Sequence, residues 1–275
     1  MAAVDLDGYF HRVGYLGNRS PTLDTLRDLQ LRHTEAIPFE NLNPLLGWPV
    51  RLDPASLEQK LVHDGRGGYC YEHNLLFRHV LEGLGFRVVG LAARVLLNAP
   101  VGAVRPKTHV LLLVEVAGQP YIADVGFGGQ TPTAPLRLEP GIEQQTPHGP
   151  FRLHPAGDGF LLEADMGGWK PLYRFDLREQ HIVDYEVANW YVSTHPESHF
   201  LNALLAARPA AGRRYGLRDN ELAVHAVGGP TERRVISDAR ELRGILSDLF
   251  RLTLPDTPAL DPMLEQIAAK PAATA

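Results

Sequence analysis

The sequence predicts an α+β protein in three consecutive parts: a helical bundle over residues 1–86, an antiparallel sheet curling into a small barrel over 87–190, and a mixed α/β unit over 191–275. Three observations predict it. Apolar residues recur at helical spacing as far as about residue 85. Strand-type runs separated by Gly- and Pro-rich connections follow from Arg87, and helical spacing returns after about Trp190 beside two further strand-like runs.

In the first part, helices are expected over residues 5–13, 23–35 and 54–63. Thr22 stands before the second as an N-cap and Asp53 before the third, where Pro54 takes the first helical position, which needs no backbone N–H. A fourth helix opens at Cys70. Cys70, Asn74, Phe77 and Leu81 fall at i, i+4, i+7 and i+11, with Leu76, Val80 and Leu84 on the adjoining stripe, so Cys70 faces the rim of a core. Gly83 and Gly85 are expected to supply the left-handed conformation that ends it. Residues 37–49, between the second and third helices, read as an apolar loop held by prolines.

Strands are expected over residues 87–95, 109–116, 121–125, 151–153, 159–164 and 169–173, with 132–150 a long irregular link. In the last part the expectation is helices over 196–207 and 238–249, strands over 222–227 and 231–236 joined by Gly228-Gly229-Pro230, and a frayed tail over 268–275.

A chain of 275 residues that is 44% hydrophobic can bury a real core but is long for one compact unit, so packed subdomains are expected. The net charge is −5 and the charges are interspersed, which argues against a nucleic-acid surface or a polybasic membrane patch and for a small-molecule partner. The longest apolar run, Val110-Leu111-Leu112-Leu113-Val114, falls far short of the roughly 20 residues of a membrane helix. The first seven residues show neither the basic nor the apolar region of a secretory signal, and one cysteine can form no internal disulfide. Together these features predict a soluble protein of a reducing cytoplasm. They say nothing of its oligomeric state.

The chemistry is expected at that one cysteine, within Arg66-Gly67-Gly68-Tyr69-Cys70-Tyr71-Glu72-His73-Asn74. A glycine pair runs into the first turn of a helix, whose unpartnered N–H groups and dipole favour a thiolate. Such a nucleophile needs a base, and the base needs a group to orient it. His109 opens one apolar strand and Asp124 closes the next, with Ala117-Gly118-Gln119-Pro120 as the turn between them. A carboxylate ending an apolar strand needs a partner if it is buried. Pairing Val116 with Tyr121 sets Asp124 opposite Leu113, four residues from His109 on the same face. That is roughly 13 Å along the strand, so a bulge, a strong twist or a longer turn is needed to bring the two together.

Gly126-Phe127-Gly128-Gly129 follows Asp124 and lacks the endings of nucleotide-binding loops, but its backbone N–H groups could receive an acyl oxygen or a pyrophosphate. His195 and His199 stand at i, i+4 without an obvious third ligand, and no metal site is expected there.

The segment around Cys70 resembles the active-site segment of the arylamine N-acetyltransferases. Ile37-Pro38-Phe39-Glu40-Asn41-Leu42, Thr108-His109, Asp124-Val125-Gly126-Phe127-Gly128-Gly129 and Trp190-Tyr191-Val192-Ser193-Thr194-His195-Pro196 resemble further segments of that family, in family order. The resemblance runs from Asp5 to about Phe250. It implies an N-terminal helical bundle, a central antiparallel β-barrel and a C-terminal α/β lid, around a cysteine core like that of papain-type proteases and transglutaminases. It implies Cys70 as nucleophile, His109 as its base and Asp124 as the orienting carboxylate. The implied reaction is ping-pong: acetyl-CoA acetylates Cys70, and an arylamine, arylhydrazine or N-hydroxyarylamine then takes the acetyl group. By the same resemblance Phe39, Phe127 and Phe200 surround the aryl acceptor, while Thr108, Gly126, Gly128, Gly129, Thr131 and His225 contact coenzyme A. Arg66 and Glu40 become an ion pair bracing the loop beside Cys70. No metal is implied.

Two other readings share these residues. A papain- or transglutaminase-type hydrolase would use the same Cys–His–Asp logic with water or a lysine amine as acceptor, and acetyl-CoA dependence separates the two. A non-catalytic small-molecule binder on the same scaffold would have no need of a reactive thiol.

Overall fold

The structure is a computed structural model that describes residues 4–100 and 102–271. Residues 4–86 form helices α1 (Leu6–Val13) and α2 (Leu23–Ala36), a two-residue strand β1 (Phe39–Glu40), α3 (Leu42–Leu45), α4 (Pro54–Glu58) running on into a π turn at Gln59–His63, and α5 (Cys70–Gly83). Local chemistry starts them. The Thr22 side chain accepts from the Thr25 N–H and Asp53 from Ser56, with Pro54 in the first turn. Asp5 does the same for α1, accepting from Asp7 and Gly8. The expected loop over 37–49 instead contains β1 and α3, both too short to show a period. At the end of α5, Gly85 takes the left-handed conformation (φ +86), but Gly83 does not share that role. Gly83 stays helical and leaves room for Leu6, 3.4 Å from where its Cβ would stand.

Eight antiparallel strands follow: β2 (Arg87–Val95), β3 (Lys107–Val116), β4 (Gln119–Ala123), β5 (Leu136–Arg137), β6 (Glu143–Thr146), β7 (Gly149–Ala156), β8 (Gly159–Asp165) and β9 (Trp169–Phe175). Their order is β5-β4-β3-β2-β9-β8-β7-β6. The outer strands meet through Gln144, whose side chain bonds both the N–H and the C=O of Arg137, so the sheet curls nearly into a barrel. The region expected as an irregular link thus holds β5 and β6. The polar run Glu143-Gln144-Gln145-Thr146 of β6 carried no apolar alternation to reveal it.

The remainder contains α6 (Ile182–Thr194), α7 (His199–Asn202), strands β10 (Leu205–Ala210), β11 (Arg213–Arg218), β12 (Glu221–Ala226) and β13 (Thr231–Val235), then α8 (Ala239–Gly244) with a π turn at Ile245–Leu249, and α9 (Leu260–Ala268). The helix expected over 196–207 is a single turn, α7, after which the chain becomes β10. The sheet order is β1-β10-β11-β12-β13, with Phe39 opposite Ala207 and Glu40 opposite Ala206, so the segment carrying Phe39 is stitched to the C-terminal sheet. Helices α6 and α9 and strand β11 were not anticipated. Of the tail expected to fray, Ala268 is a buried residue of α9, and 272–275 lie outside the described residues.

Strand β3 explains its own sequence. Val110, Leu112 and Val114 pack with Leu76, Phe77 and Val80 of α5, while Leu111 points into the barrel with Ile122, Leu153 and Leu162. Both faces are covered, so the run is continuously apolar, and each fully buried Leu or Val contributes ~2 kcal/mol. This packing presses the start of α5 against the strand that carries His109.

Candidate active site

Cys70 is the first residue of α5 and is 4% exposed. Glycines let three segments close on it. A Cβ at Gly67 would overlap the Pro38 carbonyl oxygen, one at Gly68 would stand 2.6 Å from Glu72 Oε2, and one at Gly126 would stand 2.8 Å from Cys70 Cα. The first-turn N–H groups have no intrahelical partner and carry the positive end of the dipole toward this point.

His109 and Asp124 are brought together by a turn shorter than expected. Val116 pairs with Gln119, across a two-residue turn in which Ala117 (φ +50) and Gly118 (φ +76) are both left-handed. Leu112 then faces Ala123, and the chain reaches Asp124 level with Leu111. The remaining offset to His109 is two residues, roughly 7 Å, not four. Between β2 and β3 the register slips: Ala93 pairs with His109 and Arg94 with Lys107, which leaves Thr108 as a bulge. The freed Thr108 carbonyl oxygen lies 3.7 Å from Cys70 Sγ.

His109 Nε2 stands 2.7 Å from Asp124 Oδ2, which leaves Nδ1 for the neighbouring Cys70. The Tyr173 hydroxyl donates to the same carboxylate oxygen at 3.0 Å. Oδ1 accepts from the Asn74 amide at 3.0 Å and from the Gly126 N–H at 2.9 Å. Burial alone would lower the His109 imidazole, but the Asp124 charge, its hydrogen bond and the neighbouring Cys70 raise it to about 10. Burial would likewise raise Asp124; His109, Asn74 and the Gly126 N–H hold it below the ordinary carboxylate range. The His109 ring is clasped between Phe127 and Tyr173, each 5.0 Å away by centroid.

A second buried cluster braces the Cys70 loop. Arg66 donates through Nη2 and Nε to Glu40 Oε1, at 2.9 and 3.2 Å, as the resemblance implied. Lys60 bonds Glu72 at 2.6 Å, and Glu72 in turn accepts the Tyr69 N–H at 3.0 Å. Burial pushes Glu72 up, and Lys60 partly offsets this; Glu40 is held down against burial by Lys60, Arg66 and the Leu42 N–H. Such a network adds little net stability but fixes the geometry of the residues 66–69 that lead into the helix.

Phe127 packs on the His109 ring, and Phe39 and Phe200 lie with the core that contains Cys70. Phe39 and Phe200 are 6.3 Å apart, Phe200 packs on Tyr69 at 5.2 Å, and a Cβ at Gly128 would stand 3.6 Å from the Phe39 ring. Thr131 is buried and its carbonyl accepts from Arg214 at 2.9 Å, as does that of Gly129 at 3.2 Å. His225 is not in the triad cluster. It stands opposite Arg214 in the pairing of β11 with β12 and bonds Thr231, while Arg214 itself carries the contacts to the glycine loop. Gly129 has open space where a side chain would be. His195 stacks on Tyr191, and the His199 ring packs tilted against Phe200. Among the described residues no three His, Cys, Asp or Glu gather as a metal site, and no helix is long and apolar enough to cross a membrane.

Three contributors escaped the sequence reading: Asn74, Tyr173 and Arg214. Asn74 had a signal, an amide on an otherwise apolar stripe one turn after Cys70. Tyr173 and Arg214 lie on strands remote in sequence and had none.

A helix-borne cysteine, a barrel-strand histidine hydrogen-bonded to a buried aspartate just past the end of the neighbouring strand, and glycine-bared backbone beside them define a protein of the cysteine acyl-transfer class. The N-acetyltransferase family model matches residues 22–259. The chain is 46% identical to the arylamine N-acetyltransferase of Mycobacterium tuberculosis over 98% of its own length and 97% of the relative's, and 43% identical to that of Escherichia coli over 91% and 90%. The structure of the Mycobacterium marinum arylamine N-acetyltransferase in complex with CoA superposes with a TM-score of 0.91 at 46% identity, covering 96% of this chain and 98% of that one. The chain belongs to the arylamine N-acetyltransferase family.

Proposed function

We propose that this protein moves an acetyl group from acetyl-CoA to the nitrogen of arylamines, arylhydrazines or N-hydroxyarylamines, in two steps through an acetyl-Cys70 intermediate. The observation that carries the reading is the 2.7 Å contact of His109 with Asp124 at the mouth of the Cys70 helix. The raised imidazole holds a proton at neutral pH and pairs with the Cys70 thiolate. The thiolate attacks the thioester carbonyl, and first-turn N–H groups of α5 stabilise the oxyanion. The C–S bond to CoA breaks, and His109 gives its proton to the departing CoA sulfur. In the second step the amine attacks the acetyl-cysteine, neutral His109 takes the N–H proton, and the Cys70 thiolate leaves.

Phe39, Phe127 and Phe200 wall the aryl acceptor, to which they offer flat apolar faces. Thr108, Gly126, Gly128, Gly129 and Thr131, with His225 across Arg214, receive coenzyme A; the open space at Gly129 supports this. We read the chain as bundle 1–86, barrel 87–190 and lid 191–275. The interspersed charge favours small-molecule partners over nucleic acid or membrane, and the lone cysteine supports a cytoplasmic setting.

Intact-protein mass after acetyl-CoA alone, then after an aminobenzoate or hydralazine, tests the reading. One acetyl group should appear on Cys70 and then pass to the amine. An unacetylated protein whose Cys70 still reacts with iodoacetamide would favour a hydrolase.

A further inference from the structure

A hydrogen-bonded chain crosses the helical core outside the triad. The Tyr9 hydroxyl lies 2.8 Å from His33 Nδ1, His33 Nε2 lies 2.9 Å from His73 Nδ1, and His73 Nε2 lies 3.1 Å from the Pro38 carbonyl oxygen. None of the three side chains is more than 1% exposed. The far end sets the direction. A carbonyl only accepts, so His73 Nε2 carries the proton, His73 Nδ1 accepts from His33 Nε2–H, and His33 Nδ1 accepts from the Tyr9 hydroxyl. Each contact then holds one proton, and the reverse order would leave Pro38 facing a lone pair. Burial lowers His73 to about 4 and His33 well below the ordinary range, so both rings are neutral, as this order needs.

The chain ends on the backbone that carries Phe39. The Pro38 carbonyl also accepts from the Gly68 N–H at 3.3 Å, and the Gly68 carbonyl accepts from the Glu40 N–H at 2.7 Å. The Phe39 ring lies parallel to His73, with 6.4 Å between centroids and 6° between planes, and lies 6.3 Å from the tilted Phe200 ring. An imidazole that only filled the core would cost desolvation of two nitrogens that an aliphatic side chain avoids. Here both nitrogens are bonded, and one of them holds a segment only two residues of which form a strand.

We propose that His73, kept in one tautomer by His33 and Tyr9, is a positioning residue that sets the place of Phe39 and so the fit of the arylamine acceptor, without acting in the acetylation of Cys70. The proposal rests on Phe39 being a wall of the acceptor site.

Measuring the two half-reactions separately tests it: the rate of Cys70 acetylation by acetyl-CoA, and the decay of the acetyl-enzyme with 4-aminobenzoate or hydralazine. In His73→Leu, acetylation should stay within about threefold of the parent while transfer to the amine falls roughly tenfold or more, chiefly through KM. His73→Gln keeps one donor and one acceptor and should restore transfer to within about threefold. Equal losses in both half-reactions, or no loss in the second, would overturn the proposal. Phe39→Leu separates the two layers. If it leaves amine transfer unchanged, the acceptor-wall reading is at fault; if it slows transfer while His73→Leu does not, the wall stands and the role of His73 falls. Should His73→Leu fail to fold, Tyr9→Phe removes only the distal hydroxyl. It should slow amine transfer about two- to threefold with acetylation unchanged, and no change in either half-reaction would count against the relay.

Discussion

Asn74 donates from its amide to Asp124 Oδ1 at 3.0 Å, so the residue one helical turn beyond Cys70 holds the carboxylate that His109 binds. The same side chain donates to the Val110 carbonyl at 2.8 Å and accepts the Val125 N–H at 3.0 Å. One fully buried amide therefore ties the cysteine helix to both strands of the hairpin. Asn74→Ala should leave three polar groups without this partner, one of them a buried carboxylate, and lower stability by roughly 2–4 kcal/mol. A urea midpoint that falls without a change in slope would record the loss. Turnover should drop about 10- to 100-fold because the triad loses its spacing. Unaltered turnover in the folded variant would remove Asn74 from the site's support.

The state of His109 depends on the charge of Asp124. In Asp124→Asn, burial remains but the charge that overcame it is gone, so the imidazole should fall from about 10 and become neutral at pH 7. Proton-sensitive NMR shifts of the ring would report this directly. Alkylation of Cys70 by iodoacetamide at pH 7 should slow by about 100-fold as the thiolate loses its cationic partner. A ring that stays protonated in the variant would contradict the assignment of cause.

Much of this site was legible because its parts are local. Thr22 and Asp53 announced their helices through caps formed three residues away, and Cys70 announced itself through two glycines and a helical stripe. The hairpin offset is not legible in the sequence because Ala117 takes a left-handed conformation, which alanine seldom adopts and its sequence context does not advertise. Helix α6 escaped because Ile182, Val183, Val187, Trp190 and Tyr191 give its exposed side an apolar character, so no amphipathic period separates the buried Tyr185 and Val192 from the surface. Strand β11 hid behind Arg213, Arg214 and Arg218. Tyr173 reaches Asp124 from 49 residues away, a meeting made by barrel closure alone.

Acid should destabilise the fold through His73. Its imidazole is lowered to about 4 in the folded protein, first by burial, with Lys60 adding and Glu40 and the Pro38 carbonyl opposing. An unfolded histidine titrates near 6.5. Below that pH the unfolded chain binds a proton that the folded chain refuses, so this stability is complete above about pH 6.5 and is lost as pH falls toward 4, by roughly 3 kcal/mol in all. His33 moves in the same direction. Comparing urea midpoints of the parent and His73→Gln between pH 7 and 4.5 isolates the effect, because other titrating groups are shared. The variant's curve should be the shallower; parallel curves would mean that His73 is protonated in the fold.

Gly126 offers the sharpest steric test. Its hydrogen atom faces Cys70 Cα, and a Cβ there would stand 2.8 Å from that atom and 2.9 Å from Asn74 Nδ2. Cys70 Cα belongs to a helix backbone and Asn74 is locked by three hydrogen bonds, so neither can swing aside as the end of a flexible side chain could. Relief has to come from the loop. Moving it off the helix lengthens the 2.9 Å bond from the Gly126 N–H to Asp124 Oδ1, and the carboxylate then loses part of what holds it against burial. Gly126→Ala should therefore cost roughly 1–3 kcal/mol and lower turnover at least tenfold. Gly216 of β11, where a Cβ meets nothing within 4 Å, is the control. Its alanine variant should stay within about 0.5 kcal/mol of the parent or gain stability, because alanine restricts the unfolded chain more than glycine does. If the two alanine variants prove alike in midpoint and turnover, the close seating of the glycine loop on the cysteine helix is not what holds Asp124 in place.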